Sequence, residues 1–425
     1  MKEVQYSPKD ILSVQSLEQT SCGSPLSKII ENKISQNGPI DFSEYMQMWL
    51  HGADGTPGYY NSNKVKLGYD YKASKSDFAT SPEVSPMFGI LISKQLIEAY
   101  NIMDRPKSFQ IVEMGAGYGT LAYDVIHGLR EFDEEMSSSV HYVIVENSPT
   151  LLKKQKDLLA GLNVSFIQAS AVNLPLKDIT GVIISNELPD TFPVHLIRKR
   201  NDTWEEMFID KGSEAEFEDF WNEPGEEVVK HLEKYCPQNF IDGVYALNLH
   251  GHDWMKRMAE SLKRGYVITF DYATCGGPVA VFGAMVNGKQ DDRTVFKKEV
   301  VGVTDLTASV DMRMLATVGE ENGLRTDGYV TEGGFLHGLG FHVGMSDWCS
   351  KNGNKVGDSH LIHVWDSHYL LDSNSDVLVQ SKGIEGTPHL SGLDYAFHDM
   401  VYEGEKERRL PFLITDNIYR SKIDL

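Results

Sequence analysis

The run Glu113-Met114-Gly115-Ala116-Gly117-Tyr118-Gly119-Thr120 follows a short apolar stretch and opens a helical pattern. Glycines at a strand-to-helix turn allow a tight bend and let a ligand reach the backbone N–H groups at the helix start. A glycine triplet alone is shared by dinucleotide, phosphate and nucleoside binders. Two features narrow the choice. The spacing is GxGxG, with Thr120 where a dinucleotide fingerprint places its last Gly or Ala. Glu113, two residues ahead of Gly115, sets a carboxylate at the mouth. That carboxylate repels a pyrophosphate and suits the sulfonium and ammonium of S-adenosylmethionine. The next apolar run ends in Glu146, where an acid can accept both hydroxyls of a ribose, an arrangement that NAD and S-adenosylmethionine sites share. These residues favour S-adenosylmethionine and leave a nicotinamide cofactor open.

A further apolar run ends in Ser185-Asn186-Glu187-Leu188-Pro189-Asp190, at the sheet edge where ligands of doubly wound folds collect. Asn186 and Glu187 are candidates to meet the methionine part or the methyl acceptor. Methyl transfer is an in-line displacement at carbon, so the protein chiefly positions the acceptor and supplies a base where one is needed. Candidate catalytic residues are Glu187, Asp190 and His195, with the Asp271-Tyr272 pair nearby. Glu187 and Asp190 are close enough in sequence to grip a guanidinium or ammonium between them; a carboxylate acceptor would instead need His195 or a basic group. The run His360-x-x-His363, followed by His368, has the residue type of a metal site. LIHVWDSHYLL alternates like a strand, which sends His360 and His363 to opposite faces, so no metal is expected.

These residues need a scaffold. Short apolar runs at Phe109–Met114, Tyr142–Glu146, Val164–Gln168, Gly181–Ser185 and Tyr266–Asp271 alternate with helical patterns near Tyr118–Phe132, Pro149–Leu159 and Asp253–Lys263. That alternation predicts an α/β fold, a doubly wound Rossmann-like parallel sheet with helices on both faces. Asp41 and Glu44 mark the start of an amphipathic helix through Leu50. Val194–Arg200 and Trp204–Asp210 read as a hairpin joined at Asn201-Asp202. Ser213–Lys234 is strongly acidic and reads as a solvated insertion, and a helix is expected from about Ser309 to Asn322. The expected organisation is an N-terminal helical lid over 1–105, a core over 106–275 with an acidic insertion around 200–245, and a C-terminal part over 276–425. That last part completes the core and adds an acceptor-side lobe.

Composition bounds the partners. The chain has 425 residues, 40 Lys+Arg against 61 Asp+Glu, and a formal charge of −21. Nucleic acids and anionic membranes need a basic footprint, so neither is expected as a partner. No stretch reaches 18 uncharged apolar residues, and no membrane span is expected. The four cysteines are scattered without a CxxC pair, which fits a reducing compartment. The first twenty residues show neither an apolar signal core nor a mitochondrial transit pattern, so the expected location is cytoplasmic.

Six ordered blocks between Gly38 and Phe341 resemble the MidA-like family of S-adenosylmethionine-dependent methyltransferases, which includes the mitochondrial complex I assembly arginine methyltransferase. SDFATSPEVSPMFG resembles its GDF-TSPE-S-FG segment and VEMGAGYGTL its ELGPGRGTL loop. SNELPDTFPVH is similar to NE-FD-LPVH, YVITFDYA to IDYG, DLTASVDMRML to DLTAHVDF, and TEGGFLHGLGF to TQGEFL-LGI. The resemblance implies a class I methyltransferase fold with an N-terminal helical lid and an inserted lobe, and S-adenosylmethionine as cofactor. It implies donor contacts from Glu113, Gly115, Gly117, Gly119 and Glu146. Asn186, Glu187 and the loop Thr80-Ser81-Pro82-Glu83 would close the pocket. Departures are Ala116 for the loop proline, Pro86 for a usual Gln, Pro189 for an aromatic, Ala273 for a glycine and Ser309 for a histidine, and after Phe341 the pattern dissolves, with LDYAFHDMVYEG where the family ends in a short LFKVL-type strand. They suggest a changed acceptor, hence methylation of a small or carrier-bound metabolite. Protein arginine methylation is the alternative, and a non-catalytic S-adenosylmethionine-binding assembly factor is a third reading.

Overall fold

The computed structural model describes residues 23–63, 65, 80–201, 203–235, 243–274, 282–286, 289–291, 294–341 and 375–394. In β1 (Gln110–Met114), β2 (His141–Glu146), β3 (Val164–Gln168) and β4 (Ile179–Asn186) successive side chains face opposite sides. Ile111, Tyr142, Ile144, Val182 and Ile184 therefore join one apolar cluster. Val112, Met114, Val143, Val145 and Ile183 join another. A strand apolar on both faces belongs inside a parallel sheet covered on both sides.

With β5 (Leu262–Thr274), β6 (Arg325–Thr331) and β7 (Ser375–Lys382) these strands form one sheet in the order β3-β2-β1-β4-β5-β7-β6. The pairs β1–β2, β2–β3, β1–β4 and β4–β5 are parallel. β7 runs antiparallel to both β5 and β6. The chain winds outward from β1 to β3 and returns at β4, so the order reverses between β1 and β4. Ligands of such sheets bind in the crevice at the carboxyl ends beside that reversal. At the opposite, amino-terminal edge glycine lets the central strands approach closely: a Cβ on Gly181 would lie 1.9 Å from the Gln110 carbonyl oxygen, and one on Gly265 1.8 Å from that of Gly181.

On one face α3 (Pro86–Ile102) packs against α4 (Thr120–Phe132) through Leu91, Ile92, Leu96, Leu121, Val125 and Leu129. The other face is covered by α6 (Leu249–Ser261) and α7 (Met312–Glu321) through Trp254, Met255, Met258, Leu315 and Val318. A third cluster joins α1 (Pro25–Asn37) and α2 (Phe42–His51) to the strands His195–Arg200, Thr203–Asp210 and Asp305–Ala308. Tyr45 and Trp49 anchor α2: Tyr45 Oη donates to the Val295 carbonyl and Trp49 Nε1 to that of Thr304, each at 2.7 Å. Asp41 caps α2 by accepting from the Glu44 N–H at 2.8 Å. α5 (Pro149–Leu158) connects β2 to β3.

Two local expectations change. The acidic stretch Ser213–Lys234 is structured rather than merely solvated. Glu218–Asn222 pairs with Thr203–Asp210, and Glu226–Tyr235 is a helix. Its acids face water while Phe217, Val228 and Leu232 are buried, the division of an amphipathic segment. The helix expected from Ser309 begins at Met312, because Val310–Asp311 first extends along β5 and the Asp311 side chain then caps the N–H groups of Arg313 and Met314. Among the described residues no helix is long and apolar enough to cross a membrane.

Candidate functional site

The carboxyl ends of β1, β2 and β4 open into one cavity. Its floor is the β1–α4 turn. Gly115, Gly117 and Gly119 have φ of 70°, 53° and 90°, left-handed values that cost glycine little. The Gly115 N–H donates to the Val145 carbonyl at 3.0 Å, which holds the turn against β2. Glu113 precedes the turn and is 3 % exposed. Tyr142 Oη donates to its Oε2 at 2.6 Å. Burial pushes the Glu113 carboxyl up to about 7, the Glu146 charge adds to that, and the Tyr142 hydroxyl opposes it.

Glu146, the last residue of β2, accepts from the Ser148 N–H at 2.8 Å and from Gln155 Nε2 at 3.1 Å. Gln155 Nε2 also donates to the Gly117 carbonyl at 2.9 Å, tying the acid to the glycine turn. Burial raises the Glu146 carboxyl and these hydrogen bonds work against it. Ala169, Ser170, Ala171 and Val172, after β3, continue the wall. Across from the turn, Glu83 accepts from Thr120 Oγ1 at 2.5 Å.

Of the sequence-derived candidates, Thr80, Pro82, Glu83, Glu113, Gly115, Gly117, Glu146, Asn186 and Glu187 line the cavity. Gly119 and Ser81 stand just outside the lining. The Ser81 N–H reaches Glu187 Oε1 at 3.4 Å, and Ser81 Oγ donates to Glu332 at 2.5 Å. Glu187 has φ of 49°, a strained value for a non-glycine residue. Asn186 Nδ2 donates to its Oε1 at 3.2 Å. Burial holds the Glu187 carboxyl well above the usual range, and the Asp190 and Glu332 charges push it further.

Asp190 and His195 do not line the cavity. Asp190 lies behind Glu187: its Oδ2 accepts from Thr307 Oγ1 at 2.9 Å, and its N–H donates to Asp271 Oδ2 at 3.1 Å. Burial raises Asp190 to about 6. The short turn Pro189–Thr191 rotates it away from the side Glu187 faces. His195 Nδ1 pairs instead with the buried Glu206 at 2.5 Å, with Asp41 at 4.0 Å. Asp41, His195 and Glu206 bring possible metal-ligand atoms within 4.8 Å of one another. His195 and Glu206 bond each other and Asp41 caps α2, so each group is already employed. His360, His363 and His368 lie outside the described residues.

Other lining residues went unnoticed in the sequence. Gln47, His51, Tyr60 and Asn61 come from α2 and the segment after it, and His250 from the start of α6. Burial, then the neighbouring His250, lowers His51 to about 4. His250 is also lowered, chiefly by burial. Both imidazoles are therefore neutral at pH 7. Nothing in spacing marked them, because single polar residues in unrelated segments carry no period.

Among the described residues the lining is thus rich in acids and hydrogen-bond acceptors, with no Lys or Arg. Such a cavity attracts a cationic ligand, and its donor set fits S-adenosylmethionine: carboxylates for ammonium, sulfonium and ribose hydroxyls, and a glycine turn for close backbone approach.

Comparison with known proteins gives a consistent picture. The profile of a family described as S-adenosyl-L-methionine-dependent methyltransferase matches residues 91–330. A Drosophila melanogaster protein named "Protein arginine methyltransferase NDUFAF7 homolog, mitochondrial" is 28 % identical over 356 residues, covering 77 % of this chain and 78 % of its own length. The Homo sapiens protein "Protein arginine methyltransferase NDUFAF7, mitochondrial" is 26 % identical over 372 residues, 80 % of this chain and 79 % of its own. A crystal structure from Burkholderia thailandensis bound to S-adenosyl-homocysteine matches with a TM-score of 0.72 at 22 % identity, covering 86 % of this chain and 94 % of that one. That likeness concerns the fold, which is the doubly wound one expected from the sequence. One expectation is corrected: the relatives are named mitochondrial, which overturns the cytoplasmic assignment. That assignment had rested on a missing leader pattern, and targeting signals are addresses read by receptors rather than properties of the fold.

Proposed function

The chain belongs to this family of S-adenosyl-L-methionine-dependent methyltransferases, and we propose that it methylates a guanidinium nitrogen of a protein arginine, in the mitochondrion as its relatives' names state for them. S-adenosylmethionine, the cofactor of the family, supplies an electrophilic methyl group. Glu146 accepts the ribose hydroxyls, and Glu113, the glycine turn and Asn186 receive the methionine part. Thr80-Ser81-Pro82-Glu83 closes the wall over the turn. Glu187 faces the cavity and holds the acceptor. Its carboxylate takes two parallel N–H bonds from a guanidinium. It also takes the proton lost as the nitrogen gains its methyl group, a role favoured by its raised proton affinity. Asp190, raised by burial to about 6, stands behind it and keeps negative charge at pH 7 where a cation docks.

The observation that carries this reading is the position of Glu187, a half-buried carboxylate facing a cavity whose described lining holds no lysine or arginine. The metabolite reading rested on Pro86, Pro189, Ala273 and Ser309, none of which lines the cavity, and on the divergence after Phe341, most of which lies outside the described residues. Incubation with methyl-labelled donor and a mitochondrial extract tests the choice. Label in methylarginine after hydrolysis of the protein fraction is expected. Label confined to small molecules would establish the metabolite reading. Donor binding with no transfer would favour an assembly factor.

A further inference from the structure

The lid-side wall of the cavity is not used by the donor contacts above. Asn61 Nδ2 donates to the His51 carbonyl at 2.8 Å, which fixes the amide with Oδ1 as its remaining atom. Asn61 Oδ1 and His51 Nδ1 are both buried and have no hydrogen-bond partner among the described residues. Asn186 Oδ1, oriented by the bond from its own Nδ2 to Glu187, is in the same condition. These are the unmatched buried side-chain atoms of the lining residues. Two accept only, and a neutral imidazole has one accepting nitrogen. A buried acceptor without a partner is destabilising, so this wall suits a ligand that brings N–H groups and no lone pairs.

The same wall is fastened both to Ser148, whose Oγ donates to the Tyr60 carbonyl at 2.6 Å, and to the Glu187 segment. Tyr60 Oη donates to Asp305 Oδ1 at 2.9 Å. On the same short strand Thr307 Oγ1 donates to Asp190 Oδ2 at 2.9 Å. His51 stands beside His250, and His250 lines the cavity together with Thr191, Phe192 and Pro193, which follow Glu187 in the chain. A guanidinium has five N–H donors and no acceptor. The Glu187 fork satisfies two of them.

Building on the arginine reading, we propose that His51 and Asn61 are specificity-determining residues, accepting guanidinium N–H groups outside the Glu187 fork through His51 Nδ1 and Asn61 Oδ1. They select a guanidinium over a lysine ammonium, whose three donors radiate from one atom and cannot span both walls. Protonated His51 would repel the acceptor, and its burial keeps it neutral.

The test uses the full-length protein, labelled donor, a peptide cut from the protein that the wild type labels, and that peptide with its arginine replaced by lysine. His51→Leu is expected to raise the KM for the arginine peptide about 10-fold, the loss of one hydrogen bond to a charged group. Turnover at saturation and donor Kd should change less than about 2-fold on the same scale. His51→Gln, which keeps an acceptor, should recover most of the KM, and Asn61→Leu should raise it similarly. Preference for arginine over lysine should narrow in both leucine variants. An unchanged KM in His51→Leu and Asn61→Leu overturns the proposal, as does a donor Kd that weakens in step with KM. Wild-type protein that puts no label on arginine overturns the parent reading, and this one with it.

Discussion

The floor and the lid-side wall of the cavity are built on opposite plans. The floor comes from two consecutive strand-to-helix turns, β1–α4 and β2–α5, and its acids are bonded into it. Glu113 is held by Tyr142, and Glu146 by Ser148 and Gln155. The lid-side wall is assembled from α2, the segment at Tyr60–Asn61 and the start of α6, and it leaves His51 Nδ1 and Asn61 Oδ1 unmatched. A ligand common to a whole family can be met by a stiff local motif. A ligand that varies is met by side chains that share only tertiary packing.

Three measurements break or sharpen that contrast. The largest effect is expected from Glu146→Ala. On the proposed role of Glu146 as acceptor of two ribose hydroxyls, its loss should weaken donor binding about 10²-fold and abolish the rise in Tm that S-adenosylmethionine gives by mass action. A Tm rise equal to the wild type's would show that the floor is not where the donor sits.

Glu113→Gln comes next, and its sign depends on pH. Burial raises this carboxyl from 4.5 to about 7 in the folded protein. The native state therefore holds its proton more tightly than the unfolded chain. The associated stability is full below about 4.5 and is lost as pH rises through about 7. The donor-free variant should be more stable than the wild type at pH 8 by about 3 kcal/mol, should match it near pH 4.5, and should bind the donor less tightly. A stability gap independent of pH would remove Glu113 as the cause. Such a gain in stability with a loss of binding is what a site carrying buried charge implies.

The smallest effect belongs to the lid anchor. Tyr45→Phe removes the donor to the Val295 carbonyl while keeping the ring in its cluster. The expected loss is about 1 kcal/mol by denaturant titration, with donor affinity unchanged. A matching loss of donor affinity would mean that lid and floor act as one unit, against the contrast drawn above.

The residues explain how far the sequence could be read. Glu113, the glycine turn and Glu146 were legible because each is fixed by its place on a strand end. The strands themselves were legible from their continuous apolar runs. Glu187 and Asp190 stand three apart and looked like a pair, yet the turn at Pro189–Thr191 puts one in the cavity and the other behind it. His195 looked like a base and is instead bonded to Glu206, a residue whose burial comes from pairing between neighbouring strands. His51, Asn61 and His250 were invisible, since no local rule links an α2 terminus to an α6 start.

By itself, the sequence determined the doubly wound sheet, the glycine turn at its switch point and the acids that a cationic donor requires. Each of these follows from period, backbone freedom or charge within about one strand and one helix. Only the tertiary structure decided which acid faces the cavity, which histidines stay neutral and which acceptors are left for a substrate. Those properties are set by burial and by contacts between segments far apart in the chain, and no window of sequence contains them.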